Sequence, residues 1–183
     1  MRSVKWLFLF GGILLVGLSL RKPETLQKQH VSASKVNWLT LEQVADSLRV
    51  NPRPVLIDLY TEWCGWCKVM DKKTYANKNV ADYLQHKFYT VKLDAETKKQ
   101  ITWNGKRYSF NPNYRTNDIA LYLTNGQLSY PTTVIIPPDN GAPQAIPGYL
   151  EPKDFELILK YFGEEKFGKV AFEDYRKNFK SKW

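Results

Sequence analysis

The apolar positions of the chain form short runs with the character of buried strands. Residues 55–60 (VLIDLY) are almost entirely apolar and follow a proline-rich turn, which predicts a central strand buried on both faces. Residues 88–93 and 132–136 predict two further strands, and the second of these ends at a pair of prolines. Shorter runs predict strands at residues 36–38 and from residues 145–146 onward.

Between these runs the apolar residues recur at the three- and four-residue spacing of helices. Helices are predicted at about 41–49, 64–73, 80–84, 118–123, 152–162 and 170–179. Thr40 with Gln43 predicts a capping box at the first helix. Asn104-Gly105 predicts a β-hairpin, since both residues accept positive φ. The order of strands and helices predicts a three-layer α/β fold.

The front of the chain has the pattern of an export segment. A short basic start precedes an apolar run at residues 6–20. As a helix this run spans about 22 Å, whereas a bilayer core measures about 30 Å, so a cleaved signal peptide and an uncleaved anchor both remain open. The predicted division is an export segment at 1–20, a linker at 21–35, an α/β domain at 36–163 with an insertion at 95–130, and a C-terminal helical extension at 164–183.

Composition narrows the classes of function. The net charge is +9, but more than half of the excess lies in residues 1–35, beside the apolar run where cations favour a membrane surface. No basic run interleaves with aromatic residues, so nucleic-acid binding is not expected. The chain has 2 Cys and 2 His, which excludes a disulfide-dense scaffold and leaves few ligands for a metal.

The two cysteines carry the predicted chemistry. Cys64 and Cys67 follow a buried strand and open a helix, which is the setting of a redox-active pair. The unpaired N–H groups of a helix start stabilise a thiolate, so Cys64 is predicted to be the attacking nucleophile. Cys67, about one turn deeper and buried, is predicted to be the resolving thiol. The alternatives are half of a zinc site or an inert disulfide, and neither His86 nor His30 has ligand spacing.

Asp58 interrupts the apolar strand that leads to Cys64. A carboxylate is costly to bury, and burial raises its pKa toward the range that suits a proton acceptor. Asp58 is therefore predicted to accept the proton of Cys67 when that thiol attacks.

Residues 55–68 (VLIDLYTEWCGWCK) resemble the active-site strand and turn of the thioredoxin-like family, including exported bacterial thiol:disulfide interchange proteins. Tyr130-Pro131-Thr132 resembles the cis-proline loop of the same family. The resemblance covers about residues 36–162. It implies a thioredoxin fold, a central mixed sheet flanked by helices, with an insertion before the cis-proline loop and the C-terminal extension outside the common core.

The resemblance also implies roles for individual residues. It implies a cis bond at Pro131 and a substrate segment that pairs with the loop of Tyr130 and Thr132. It implies that Lys92 is the partner of Asp58; the alternative is an edge position at which both charges are solvated.

Trp63, Gly65 and Trp66 flank the cysteines and are predicted to contact substrate. The two tryptophans would form an apolar collar, although core packing is an alternative for Trp63. Gly65-Trp66 replaces the Gly-Pro of thioredoxin. No histidine lies between the cysteines, and its absence favours a low or intermediate reduction potential for the Cys64–Cys67 pair.

These residues predict an exported thiol–disulfide oxidoreductase that reduces or isomerises disulfides of envelope proteins. No cofactor beyond the Cys64–Cys67 disulfide and no metal are expected. An external thiol electron donor is required, with a membrane disulfide reductase as one candidate, and the periplasmic side of a bacterial envelope is the expected location. Two alternatives remain: an oxidant, and a thioredoxin-fold binding or chaperone module with a non-catalytic cysteine pair.

Overall fold

The computed structural model describes residues 35–183. The predicted export segment at residues 1–20 and the predicted linker as far as residue 34 lie outside the described residues. Within the described part, no helix is both long enough and apolar enough to cross a bilayer.

A five-stranded mixed sheet forms the centre of the fold, with the strand order β1-β3-β2-β8-β9. β1 and β2 run parallel to β3, whereas β8 is antiparallel to both β2 and β9. The strands are β1 (Trp38–Leu39), β2 (Val55–Tyr60), β3 (Tyr89–Asp94), β4 (Ile101–Trp103), β5 (Lys106–Tyr108), β6 (Phe110–Asn111), β7 (Thr116–Asn117), β8 (Thr132–Ile136) and β9 (Gln144–Pro147).

Helices cover both faces of this sheet, which confirms the three-layer α/β prediction. They are α1 (Leu41–Val50), α2 (Gly65–Met70), α3 (Lys78–Lys87), α4 (Asp118–Thr124), α5 (Pro152–Gly163) and α6 (Phe172–Asn178). Successive side chains of a strand point to opposite faces. Ile57 therefore packs in the core of α1 and α4, and Leu56 packs in the core of α2, α3 and α5.

Several predicted boundaries differ from the observed ones; the helix expected at 80–84, for example, spans Lys78–Lys87. The first strand was expected at residues 36–38, but only Trp38 and Leu39 pair with β3. The helix after the cysteines was expected to run to about residue 73, but its α-helical part ends at Met70. It continues as a wider π-helical turn, Asp71–Tyr75, with Thr74 and Tyr75 both buried.

The segment between β3 and β8 contains the predicted hairpin and helix. β4 and β5 pair antiparallel around Asn104-Gly105, where both residues have positive φ. Trp103 is almost fully buried and packs the hairpin into the core shared by α1 and α4.

Candidate active site

The two cysteines lie at the start of α2, where the chain leaves the central strand β2. Cys64 is the N-cap residue of α2, and its Sγ accepts the backbone N–H of Cys67 at 3.0 Å. The two sulfurs are joined in a disulfide, with Cα atoms 5.3 Å apart. A sulfur at this position faces the positive end of the helix dipole, so the thiolate form of Cys64 is favoured after reduction.

Burial does not distinguish the two cysteines. Cys64 is 4% exposed and Cys67 is 3% exposed in the disulfide form. The sequence predicted a buried resolving thiol but gave no reason for the other cysteine to be equally covered. The difference between the two sulfurs is therefore their position relative to the helix start.

The loop before β8 carries three of the predicted site residues. The Tyr130–Pro131 peptide bond is cis. The carbonyl oxygen of Pro131 accepts the N–H of Gly148 at 2.8 Å, which ties the loop to the end of β9. Thr132 begins β8 opposite Leu59 of β2, and its hydroxyl donates to the carbonyl of Ser129 at 2.8 Å.

Asp58 and Lys92 occupy paired positions on the adjacent strands β2 and β3. Asp58 is only 2% exposed, so the alternative in which both charges are solvated is wrong for this carboxylate. Lys92 Nζ donates to Asp58 Oδ2 at 2.7 Å. It also donates to Asp71 Oδ1, in the π-helical turn after α2. The ammonium group of Lys92 is therefore hydrogen-bonded to two carboxylates.

The electrostatic balance at this pair is set by burial and by the neighbouring charges. Burial raises the pKa of Asp58, the Lys92 ammonium offsets part of the rise, and the negative Asp71 adds to it. Burial acts to lower the pKa of Lys92, but the two carboxylates outweigh it, so the net direction is upward. The raised pKa of Lys92 favours its charged form, whereas the raised pKa of Asp58 favours its protonated form. Of the two groups, Asp58 is therefore the better candidate for taking up a proton.

Aromatic rings surround the ammonium group of Lys92. Its Nζ lies 4.8 Å from the ring centre of Tyr60, 5.4 Å from that of Trp38 and 5.8 Å from that of Tyr75. A cation is attracted to the faces of such rings. Burial raises the pKa of Tyr75 well above its ordinary value, so its hydroxyl stays protonated. A cavity of about 490 Å³, lined in part by Asp71 and Lys92, adjoins this cluster.

Both tryptophans of the cysteine turn are exposed, so core packing is the wrong interpretation for Trp63. Trp63 is 66% exposed; its indole N–H donates to Glu96 Oε1 at 3.0 Å and its ring lies edge-on to Tyr130, with centroids 5.8 Å apart. Trp66 is 62% exposed, and its ring lies 5.4 Å from that of Tyr149. A Cβ atom added at Gly65 would meet no other atom within 4 Å, so the space beside this residue is open.

Sequence reasoning missed three residues of this site. Asp71 lies four residues after Cys67, one helical turn along, and that spacing is a signal that could have placed it on the same side of the helix. Glu96 and Tyr149 follow β3 and β9, and their contacts with the tryptophans depend on the tertiary fold alone. Within residues 35–183, no group of three or more His, Cys, Asp and Glu side chains could hold a metal ion.

A disulfide at the start of a helix, beside a cis-proline loop on a mixed five-stranded sheet, defines the class of thioredoxin-like thiol–disulfide oxidoreductases. The chain belongs to the family Thioredox_DsbH, described as a protein of unknown function, DUF255, whose family model matches residues 20–160. The predicted resemblance to the thioredoxin-like family is thereby confirmed.

Comparisons with individual proteins agree with this assignment. The chain is 32% identical over 114 residues to a thioredoxin of Borreliella burgdorferi, covering 60% of this chain and 74% of that protein. It is 32% identical over 91 residues to the thiol:disulfide interchange protein DsbD of Pectobacterium atrosepticum, covering 46% of this chain. The match spans only 15% of that DsbD, and 17% of the DsbD of Campylobacter jejuni.

Solved structures show the same fold. A DsbH oxidoreductase superposes with a TM-score of 0.54 at 12% identity, covering 79% of this chain and 95% of the other. A thioredoxin-fold protein from Helicobacter pylori also has a TM-score of 0.54, at 19% identity, covering 69% of this chain and 80% of the other. The predicted thioredoxin fold is confirmed.

Proposed function

We propose that this protein is an exported thiol–disulfide oxidoreductase that reduces or isomerises disulfides of envelope proteins. The observation that carries the proposal is the position of Cys64. Its sulfur caps the first turn of α2 and accepts the N–H of Cys67. The same sulfur forms a disulfide bond with the sulfur of Cys67. A pair in this position can cycle between dithiol and disulfide without any other cofactor.

The exchange proceeds in two steps. The Cys64 thiolate attacks one sulfur of a substrate disulfide, that disulfide breaks, and one substrate thiolate leaves as a mixed disulfide forms. Cys67 then loses its proton and attacks the Cys64 sulfur, which releases the second substrate thiolate. The substrate gains two electrons and the Cys64–Cys67 pair loses them. An external dithiol must reduce the pair again.

Asp58 is proposed to accept the proton that Cys67 loses. It lies on the face of β2 that packs against the core of α2, and its burial raises its pKa toward that of a group able to take up a proton. Lys92 stabilises the charged form of Asp58 between proton transfers, and Asp71 keeps Lys92 from neutralising it completely. Asp58 and Lys92 thus act as a coupled unit.

Trp63, Gly65, Trp66, Tyr130, Pro131 and Thr132 are proposed to form the surface that binds substrate. The open space beside Gly65 and the exposed rings of both tryptophans support this role. An extended substrate segment would pair with the backbone of the cis-proline loop, as an added strand pairs with a sheet edge.

The envelope location and the partners rest on the relatives and on the apolar run at residues 6–20. Similar proteins of Pectobacterium atrosepticum and Campylobacter jejuni are thiol:disulfide interchange proteins by name, which supports a thiol redox partner for this chain. We propose that the electron donor is a membrane disulfide reductase. We further propose that residues 1–20 direct the chain to the periplasmic side and contact the membrane if they are not removed.

Trapping in the native host tests the proposal. Cys67→Ser should accumulate mixed disulfides through Cys64, and mass spectrometry of the trapped proteins should identify cysteine-containing envelope proteins. Cys64→Ser should trap none and should lose insulin reduction with a dithiol reductant. Equal insulin reduction by the wild type and Cys64→Ser would contradict the proposal and favour a binding module with a non-catalytic cysteine pair.

A further inference from the structure

Two buried hydroxyl groups lie beside the Asp58 carboxyl, and the exchange described above uses neither of them. Thr133 of β8 is paired with Asp58 of β2, so the two side chains project from the same face of the sheet. Tyr75 ends the π-helical turn after α2, and it packs in the core on this face together with Leu56. The side chains of Asp58, Thr133 and Tyr75 are all buried.

The ring of Tyr75 is restrained by its neighbours. It stands edge-on to the ring of Trp38, with ring centres 5.0 Å apart, and edge-on to that of Phe155, with ring centres 5.8 Å apart. Its ring centre also lies 5.8 Å from Nζ of Lys92, the ammonium group that donates to Asp58. These contacts hold the Tyr75 hydroxyl in the buried region beside the carboxyl.

The hydroxyl groups of Tyr75 and Thr133 are each free to choose a partner. Neither makes a well-formed hydrogen bond within residues 35–183, although Tyr75 is within reach of both Asp58 and Thr133. An unpaired hydroxyl is costly to bury, and a phenyl ring in the place of Tyr75 would avoid that cost. Each hydroxyl can rotate its hydrogen, donating one hydrogen bond and accepting another. The pair can therefore adapt to either protonation state of Asp58.

Hydrogen bonding by Tyr75 acts on the same carboxyl as the charges around it. Burial raises the pKa of Asp58 most strongly and Asp71 adds to the rise, whereas Lys92 of β3 and Tyr75 act to lower it. Cys67 of α2, the proposed proton donor, is the further titratable group. Burial raises the pKa of Tyr75 well above its ordinary value of 10.0, so Tyr75 donates a hydrogen bond but does not replace Asp58 as the proton acceptor.

We propose that Tyr75 is a positioning residue for proton transfer at Asp58, and that Thr133 completes a hydrogen-bond chain with it. When Asp58 is ionised, Thr133 donates to Tyr75 and Tyr75 donates to the carboxylate. When Asp58 holds the proton from Cys67, its own O–H donates to Tyr75, and Tyr75 donates to Thr133. The proton stays on Asp58, and only the direction of the chain reverses. This inference rests on the proposed function and specifies how its proton acceptor is held.

Titration of Asp58 by isotope-edited NMR, in the reduced full chain, tests the hydrogen-bond chain. Tyr75→Phe removes a charge-assisted hydrogen bond to the ionised carboxylate, so the pKa of Asp58 should rise by about one unit. Thr133→Val removes the other acceptor of the Tyr75 hydroxyl, which then donates to Asp58 alone, so the pKa should fall. In the Tyr75→Phe background, Thr133→Val should have no further effect.

The same variants should change the resolution of a mixed disulfide formed between Cys64 and a small thiol. The pH of half-maximal rate should move with the pKa of Asp58, upward in Tyr75→Phe and downward in Thr133→Val. Tyr83→Phe is the matched control, because it removes from α3 a buried hydroxyl that also has no partner among the described residues. It should change neither the titration nor the pH profile.

The results that overturn this inference differ from those that overturn the proposed function. An unchanged or lowered pKa of Asp58 in Tyr75→Phe overturns the inference, as does an effect of Thr133→Val that persists in the Tyr75→Phe background. A shifted pKa with an unchanged pH profile of resolution also overturns it, because Tyr75 then has no part in the proton transfer. The titration uses no substrate, whereas the proposed function fails if insulin reduction does not depend on Cys64.

Discussion

At the scale of single residues, the site depends on one buried carboxylate that shares its counterion. Asp58 is covered by the core, and Lys92 divides its hydrogen bonds between Asp58 and the half-exposed Asp71. A cation that is shared in this way neutralises a buried acid only in part. The raised pKa of Asp58 supports its proposed role as the acceptor of the Cys67 proton.

Replacing Asp58 should raise stability and lower activity. Because the pKa of Asp58 is raised in the folded state, the ionised carboxylate opposes folding once the pH rises above its ordinary value of 3.8 and through the folded-state value. Asp58→Asn should therefore be more stable than the wild type at pH 8 in urea unfolding, and the gain should vanish below pH 3.8. Without the proton acceptor, resolution of the mixed disulfide should slow about a hundredfold.

A matched change on the surface serves as the control for that prediction. Asp46 is 80% exposed in its side chain and lies 3.8 Å from Arg49. Asp46→Asn should alter neither the pH dependence of stability nor the resolving rate. The role assigned to Asp58 is contradicted if Asp58→Asn resolves mixed disulfides as fast as the wild type.

Removing Asp71 should lower the pKa of Asp58. The substitution Asp71→Asn deletes a nearby negative charge and leaves Lys92 paired with Asp58 alone, and both changes favour the ionised form of Asp58. Isotope-edited NMR titration of the Asp58 carboxyl carbon measures the shift directly. An unchanged or higher pKa would show that Asp71 does not take part in the sharing of Lys92.

Single residues could be predicted from the sequence where local pattern and chemistry coincide. Cys64 and Cys67 have a diagnostic spacing, and Asp58 is conspicuous because it interrupts an apolar strand. Glu96 and Tyr149 have no such signal. Each follows a strand that is distant from the cysteines in sequence, and only the strand order brings them to the tryptophans.

At the scale of secondary structure, helix starts position the chemistry and stabilise the frame. The capping box of α1 has both of its hydrogen bonds: the Thr40 hydroxyl accepts the N–H of Gln43, and Gln43 Oε1 accepts the N–H of Thr40.

Thr40→Ala should destabilise the protein by about 1 kcal/mol in urea unfolding. Ser47→Ala in the same helix removes a hydroxyl that bonds within the helix, so it should change stability by less than about 0.5 kcal/mol. Equal effects would show that the cap does not stabilise α1.

Whether a segment is a helix or a strand could be predicted, because apolar residues recur with a different period in each. The residues at which each element begins and ends could be predicted less well from the sequence. β1 begins at Trp38 because pairing with β3, and not local sequence, sets its extent. The π-helical turn at Asp71–Tyr75 has no sequence signature, and it was predicted as ordinary helix. Asp71 is the first residue of that turn, and its spacing from Cys67 is still that of an ordinary helix, so the π-helical geometry does not explain why this residue was missed.

At the scale of the whole molecule, a buried glutamate holds the C-terminal segment against α5. Glu156 Oε2 accepts the hydroxyl of Ser181 at 2.6 Å and the N–H groups of Lys182 and Trp183 at 2.7 and 3.0 Å. Its Oε1 pairs with Lys160 Nζ at 2.8 Å. Burial alone would raise the pKa of Glu156, but these four partners together lower it.

The pH dependence of stability should report this contact. Because the pKa of Glu156 is lowered on folding, its contribution is present above the ordinary value of 4.5 and is lost as the pH falls through the folded-state value. Glu156→Gln should cost about 1–3 kcal/mol at pH 7 and should flatten the acid side of the stability curve. Glu173→Gln, which breaks an exposed pair with Arg176, should cost less than about 1 kcal/mol. Acid sensitivity that is identical in Glu156→Gln and the wild type would contradict this account.

The architecture as a whole could be predicted because the order of strands and helices admits few topologies. The attachment of the C-terminal segment could not, since Glu156 is one acidic residue in an amphipathic helix and its partners lie at Ser181–Trp183. Such contacts are visible only once the helix is placed.

The central claim is that the sulfur of Cys64, at the start of α2, is the acidic nucleophile of the pair. The most direct test is the pH dependence of alkylation of each cysteine in the reduced protein, resolved by mass spectrometry. Cys64 should react first, with a thiol pKa below about 8.5. A Cys64 that titrates like free cysteine and reacts more slowly than Cys67 would contradict the account.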